Sequence, residues 1–126
     1  MDINELIKTI MDSVKTIRRQ LGPGYLESVY KNAMIVELRK RNISYEVERP
    51  IRVLYDNVVV GEFKADIIVE NRLILELKAI QSLCVANEIQ LVNYLTATGI
   101  DDGLLINFGS PQLQFKRKYR IYTKQF

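Results

Sequence analysis

Apolar residues recur at three-and-four spacing through Ile3, Leu6, Ile7, Ile10, Val14, Ile17 and Leu21, which predicts an amphipathic helix over 3–21. The "LGPG" at 21–24 stops it, since two glycines around a proline cannot continue a helix. A second helix is expected from near Tyr25 to about Arg41, with Leu26, Val29, Tyr30, Ala33, Met34 and Leu38 on one side. From Ile43 the residues turn β-branched and aromatic: "ISYEVE", "IRVLY" after Pro50, the turn signal "DN", "VVVGEFKADIIVE" and "NRLILELKAI" read as strands. Helical spacing returns in "SLCVANEIQLVNYLTATG", with Leu83, Ala86, Leu91, Tyr94 and Leu95 expected inward and Gly99 as its stop. "GLLINF" then reads as a short buried strand, and "QFKRKYRIY" as a last strand at a sheet edge.

This order, two helices, three or four strands, a helix and two strands, predicts an α/β fold in which a mixed sheet is flanked by helices. A meander followed by a helical crossover into "GLLINF" makes at least one strand pair parallel. The 126 residues, 48% hydrophobic and 26% charged, suit one domain over 1–126.

Against that pattern, "FKADIIVENRLILELKAI" (63–80) carries charges inside apolar strands. Side chains alternate along a strand, so Glu76 and Lys78 share a face with Ile74, and Asp66 shares one with Ile68 and Lys64. A three-residue loop, Glu70-Asn71-Arg72, pairs position 69 with 73, sets Asp66 opposite Glu76 and Lys64 opposite Lys78, and keeps the Leu and Val residues together. A two-residue loop would send the carboxylates to different faces. Two buried carboxylates that close should have raised pKa values unless a cation sits between them. A divalent metal would fill that role; so would a buried salt bridge among Asp66, Glu76 and Lys78 with no further function.

Composition narrows the chemistry. The chain has no histidine, which removes Ser-His and Cys-His hydrolase mechanisms and histidine-ligated metals. Its one cysteine, Cys84, permits no intramolecular disulfide and is expected as a packed, reduced thiol. Carboxylate chemistry favours hard cations such as Mg²⁺ or Mn²⁺. No run of residues is apolar enough for a membrane span and the start lacks a signal-peptide pattern, so a cytoplasmic protein without membrane association is expected. The net charge of +3 permits a polyanionic partner without requiring one. Basic clusters at Arg18 and Arg19, at Arg39, Lys40 and Arg41, and at Lys116, Arg117, Lys118 and Arg120 read as solvated faces or phosphate contacts, the last two being the candidates for nucleic acid.

An Asp followed on the next strand of a hairpin by Glu-x-Lys, here Asp66 and "ELK" at 76–78, resembles the PD-(D/E)xK nuclease superfamily. "GYLESVY" at 24–30 is similar to the signature of the GxxExxY family, with Gly24, Glu27 and Tyr30, and "QLVNY" gives Gln90 and Tyr94, similar to the QxxxY helix motif of RecB-type nucleases. The motif order matches that superfamily from about Gly22 to Tyr119; one departure is Ala65 where the pattern has proline.

The resemblance implies a restriction-endonuclease-like core and a nuclease acting on DNA, with RNA second. It implies Asp66, Glu76 and the Leu77 carbonyl as ligands of Mg²⁺ or Mn²⁺, Glu27 holding or positioning a second ion or its waters, and Lys78 stabilising charge at the phosphate. Gln90 and Tyr94, four apart on one helical face, would orient a phosphate or a carboxylate. Tyr30 and Tyr94 also read as core aromatics with satisfied hydroxyls, Gln90 as a tie to a strand end, and Glu88 as an exposed helix residue. The alternative function is a catalytically inactive nucleic-acid-binding or accessory protein on the same fold. A homodimer or a protein partner is compatible with the small size.

Overall fold

The computed structural model describes residues 1–121. Helix α1 (Ile3–Leu21) opens on a capping box in which the Asp2 carboxylate accepts from the Glu5 N–H and Glu5 reaches back to the Asp2 N–H. Two otherwise orphaned amides are thereby satisfied. Leu6, Ile10, Val14 and Ile17 form its buried stripe. Helix α2 (Glu27–Lys40) begins two residues after Tyr25. Leu26 is consequently its N-cap and is 77% exposed, because a residue before the first turn has no helical face to share.

Seven strands follow: β1 (Tyr45–Val47), β2 (Pro50–Tyr55), β3 (Val58–Lys64), β4 (Ile67–Val69), β5 (Leu73–Lys78), then β6 (Asp102–Asn107) and β7 (Gln114–Tyr119) beyond helix α3 (Val85–Thr98). Five strands precede α3 where three or four were expected. The main sheet has the order β1-β4-β5-β6-β7, and β2 and β3 form a separate hairpin. Among the described residues only β5 and β6 are parallel, with α3 as their crossover. The expected edge strand is β7; Tyr122, at the end of that expectation, lies outside the described residues. α3 stops at Gly99, whose φ of 74° is the left-handed conformation that favours glycine.

The run "FKADIIV" is not one strand. Lys64 pairs with Pro50 in the hairpin, while Ile67 pairs with Leu75 in the main sheet, so Lys64 does not lie opposite Lys78. The chain bends at Ala65-Asp66 beside Glu48, which has φ 56°, yet bonding continues across the bend: Ala65 N–H donates to Arg49 O and Glu48 N–H to Asp66 O. Both partner strands turn together, so alternation of residue types carries no mark of the corner.

The central strands are covered on both faces, as their continuous apolar character requires. Ile67, Val69, Leu73, Leu75 and Leu77 pack toward α1 and α2. Ile68, Ile74 and Leu105 pack with Leu91, Tyr94 and Leu95 of α3 and with Ile51 of the hairpin. Ala86 is exposed where it was expected inward, since the first turn of α3 overhangs the sheet. Among the described residues no helix is long and apolar enough to cross a membrane.

Candidate active site

Sheet register brings the two carboxylates together. Val69 pairs with Leu73 across a loop in which Glu70 (φ 49°) and Asn71 (φ 55°) are left-handed and Arg72 N–H bonds back to Val69 O. Continuing that register sets Asp66 beside Glu76: the Asp66 N–H donates to Glu76 Oε1 at 3.1 Å, and the Leu77 N–H donates to Asp66 Oδ2 at 2.8 Å. Glu76 is 5% exposed. Burial first, and then the Asp66 charge, push its pKa up to about 8 against the opposing effects of the backbone bond and Lys78.

Lys78 makes no ion pair with either carboxylate among the described residues. The salt-bridge alternative for this cluster is therefore not what the chain builds. An oxygen-only pair that makes no ion pair among the described residues fits a hard divalent cation, which takes carboxylates and keeps several waters. Among the described residues no third carboxylate closes the pair into a ready cage.

Glu27 approaches from α2. Tyr30 is fully buried, donates its hydroxyl to Gly22 O at 2.6 Å, accepts from Tyr25 N–H at 3.2 Å and stacks on Phe108 with centroids 4.6 Å apart. Gly22 (φ 69°) and Gly24 (φ 115°) supply the backbone that this tie needs. Tyr30 is thus a core aromatic with a satisfied hydroxyl, and its work is to fix the start of α2. Glu27, in that first turn, has a raised pKa through desolvation and then the Asp66 charge, opposed by Lys78 and Lys31. It stands within electrostatic reach of the cluster.

On the other side, Tyr94 is buried on the inner face of α3, and its pKa is raised by burial and then by Glu76 and Asp66. Its ring meets Phe63 at 5.6 Å. Gln90, one turn earlier, makes no hydrogen bond to a strand end among the described residues; with Arg52, Phe63 and Tyr94 it lines a cleft of about 740 Å³ between α3 and the β2–β3 hairpin.

The basic clusters are engaged within the chain. Lys40 (3.1 Å) and Arg41 (3.7 Å) pair with the buried Glu37, and Arg39 donates to the Tyr45 hydroxyl at 2.7 Å. Lys116 (3.3 Å) and Lys118 (3.0 Å) both pair with Glu88, Arg117 with Asp102 at 3.0 Å and Arg120 with Asp101 at 2.8 Å. Glu88 is accordingly no free exposed residue; β7 runs beside α3 and its lysines lower the Glu88 pKa through their hydrogen bonds. Cys84 is exposed, because it is the N-cap of α3 and stands off the buried face.

Sequence reasoning missed Arg52 and Phe63, which reach the cleft only because the hairpin folds over α3. It also missed the fully buried Asn107, paired with Lys78 across β5 and β6. Its amide accepts from the Ile80 and Gly109 N–H groups and donates to Ile80 O and Gln114 Oε1. Gln114 Oε1 also accepts from the Leu83 N–H. This pair pins the loop between β5 and α3, with Gly109 so close to Ala79 and Ile80 that a side-chain carbon would stand 2.5 Å from their backbone. The only signal was a polar residue ending an apolar strand.

Three solved chains match this one; among them, the crystal structure of SSO0001 superposes with a TM-score of 0.59 at 18% identity, over 74% of this chain and 49% of that one. The chain spans about half the length of that protein, and the likeness bears on the fold alone. No curated protein matches it. A family model described as the PD-(D/E)XK nuclease superfamily matches residues 4–118, a span that includes α2, both halves of the carboxylate hairpin and α3. With Asp66, Glu76 and Lys78 gathered at the end of β5 inside that span, the chain belongs to the PD-(D/E)XK nuclease superfamily.

Proposed function

We propose that the protein is a divalent-metal-dependent nuclease that hydrolyses phosphodiester bonds, with DNA the first substrate to test and RNA the second. One observation carries the reading: Glu76 is 5% exposed beside Asp66, and among the described residues no cation forms an ion pair with either. A charge arrangement that the fold does not neutralise suits a group brought from outside.

Nucleases of this superfamily typically use divalent metals, and Mg²⁺ or Mn²⁺ suits the oxygen donors Asp66, Glu76 and the Leu77 carbonyl, with Glu27 near. When bound, such an ion supplies Lewis acidity toward a phosphate oxygen and a water. The chain does the positioning. Leu77 N–H fixes one Asp66 oxygen and Asp66 N–H fixes one Glu76 oxygen, leaving the other oxygen of each free. Lys78, which makes no ion pair among the described residues, stabilises charge that develops on the phosphate oxygens. Gln90 and Tyr94 orient the strand from α3. Glu27 in its "GYLESVY" setting supports the GxxExxY reading of the chain.

The test is cleavage of labelled single-stranded, duplex and branched DNA and RNA with Mg²⁺ or Mn²⁺, comparing wild type with Glu76→Gln. That change keeps an acceptor for the Asp66 N–H. Cleavage abolished by chelator and reduced about 100-fold or more in the variant is the expected outcome. Absence of metal-dependent cleavage of every substrate would shift the reading to a nucleic-acid-binding protein, and full activity in the variant would remove Glu76 from the mechanism.

A further inference from the structure

None of Glu27, Asp66, Glu76 and Leu77 lines the cleft between α3 and the β2–β3 hairpin, and its own chemistry is specific. Phe63 of β3 and Tyr94 of α3 stand with ring centroids 5.6 Å apart and planes tilted by 39°, and Phe63 is 44% exposed. Leu54 extends the apolar wall. Around it, Arg52, Gln90 and Asn93 contribute polar side chains that make no hydrogen bond or ion pair among the described residues. The volume of about 740 Å³ lies within the roughly 300–1,000 Å³ of small-ligand sites.

An exposed aromatic ring, Phe63, backed by Tyr94 and ringed by polar side chains without partners among the described residues, matches a nucleobase, which has an apolar face and a polar edge. Arg52 adds an unpaired cation for the backbone, whereas the cations of β7 are neutralised by Glu88 and Asp102. Tyr94 is the shared wall, since it lines the cleft and also feels the charges of Glu76 and Asp66. A strand crossing the carboxylates would therefore carry an adjacent base past this cleft. In a duplex, base faces are stacked on their neighbours and the Watson–Crick edges are paired, so no face is available to an aromatic ring.

The geometry points to a nucleobase-binding cleft, formed by Phe63, Tyr94, Arg52, Gln90 and Asn93, that takes an unpaired nucleotide next to the phosphate at the carboxylates. This rests on the nuclease reading of that site and names its substrate class as single-stranded, or locally unpaired, nucleic acid.

The experiment measures binding of labelled oligothymidylate, oligouridylate, a thymidylate–adenylate duplex and an abasic oligomer of equal charge to wild type, Phe63→Ala and Arg52→Gln. Chelator is present throughout, so that no cleavage intervenes. Both changes are at exposed positions, and circular dichroism checks that each variant folds. The expected result is that a base-bearing single strand binds tighter than the abasic and duplex probes. Phe63→Ala should weaken only the base-bearing strand, by roughly 5- to 100-fold, as loss of one stacking contact implies. Arg52→Gln should weaken both single strands and lower the salt dependence. Preference between thymidylate and uridylate reports the sugar together with the 5-methyl group of the base and supports the cleft either way. Equal affinity for the abasic probe, equal affinity for the duplex, an equal effect of Phe63→Ala on both single strands, or no binding would overturn it. Base-dependent binding without metal-dependent cleavage would sink the nuclease reading and leave the cleft; cleavage with base-independent binding would do the reverse.

Discussion

A carboxylate placed like Glu76 opposes folding whenever it is charged. Its folded pKa is about 8 and its ordinary value 4.5, so between those values the folded chain holds one proton more than the unfolded chain. Stability from this group is complete below about pH 4.5 and is lost as pH rises toward 8, at about 1.4 kcal/mol per pH unit. The melting temperature of Glu76→Gln relative to wild type, measured in chelator, should therefore be little changed at about pH 5 and higher by several degrees, roughly 5 °C or more, above pH 8. A difference that does not vary with pH would mean that the charge is not desolvated. The same linkage fixes the sign for metal: binding needs the deprotonated carboxylate, so affinity should climb with pH up to about 8 and a proton should be released below it. Calorimetric titration in buffers of different ionisation heat reads that proton directly, and uptake in place of release would contradict the assignment.

At the scale of elements, the start of α2 is held by one hydroxyl. Tyr30→Phe removes the donor to Gly22 O and the acceptor for Tyr25 N–H, so urea denaturation should show a loss of roughly 1–3 kcal/mol. Metal-dependent cleavage should fall as well, because Glu27 is positioned by that turn. Glu27→Gln should lower cleavage without the stability loss; if both variants leave cleavage intact, α2 has no part in the site. The tyrosine was legible in "GYLESVY", but a hydroxyl bound to a glycine carbonyl eight residues back is a contact that only a folded turn creates. Asp66 opposite Glu76 was legible for a different reason: strand alternation and loop parity are local rules, and the register they imply is the one found. The bend at Ala65 was not legible, because it is shared by two strands and leaves alternation undisturbed.

For the whole molecule, the question is where a polyanion would lie. The seven basic residues at 39–41 and 116–120 form two cationic clusters in the sequence, yet Lys40 and Arg41 pair with Glu37 of their own helix, Lys116, Arg117, Lys118 and Arg120 pair with Glu88, Asp102 and Asp101, and Arg39 bonds the Tyr45 hydroxyl. Releasing such cations to phosphate would cost those pairs, so the double change Lys116→Ala with Lys118→Ala should barely alter nucleic-acid affinity. Its slope of log affinity against log salt should stay within about half a unit of wild type, where loss of a true phosphate contact lowers it by about one. A drop of two units would restore the basic strand as the binding surface.

The sequence by itself determined the helices, the mixed sheet, the carboxylate register and the absence of histidine chemistry. Each of these follows from local periodicity, loop parity or composition. Tertiary structure alone decided that the cations of β7 are neutralised by Glu88 and Asp102, that Cys84 and Leu26 face outward, that Asn107 pins the loop behind Lys78, and that the β2–β3 hairpin closes over α3 to make the cleft. Those outcomes depend on which elements meet in space, and side chains far apart in the chain carry no pattern that announces their meeting.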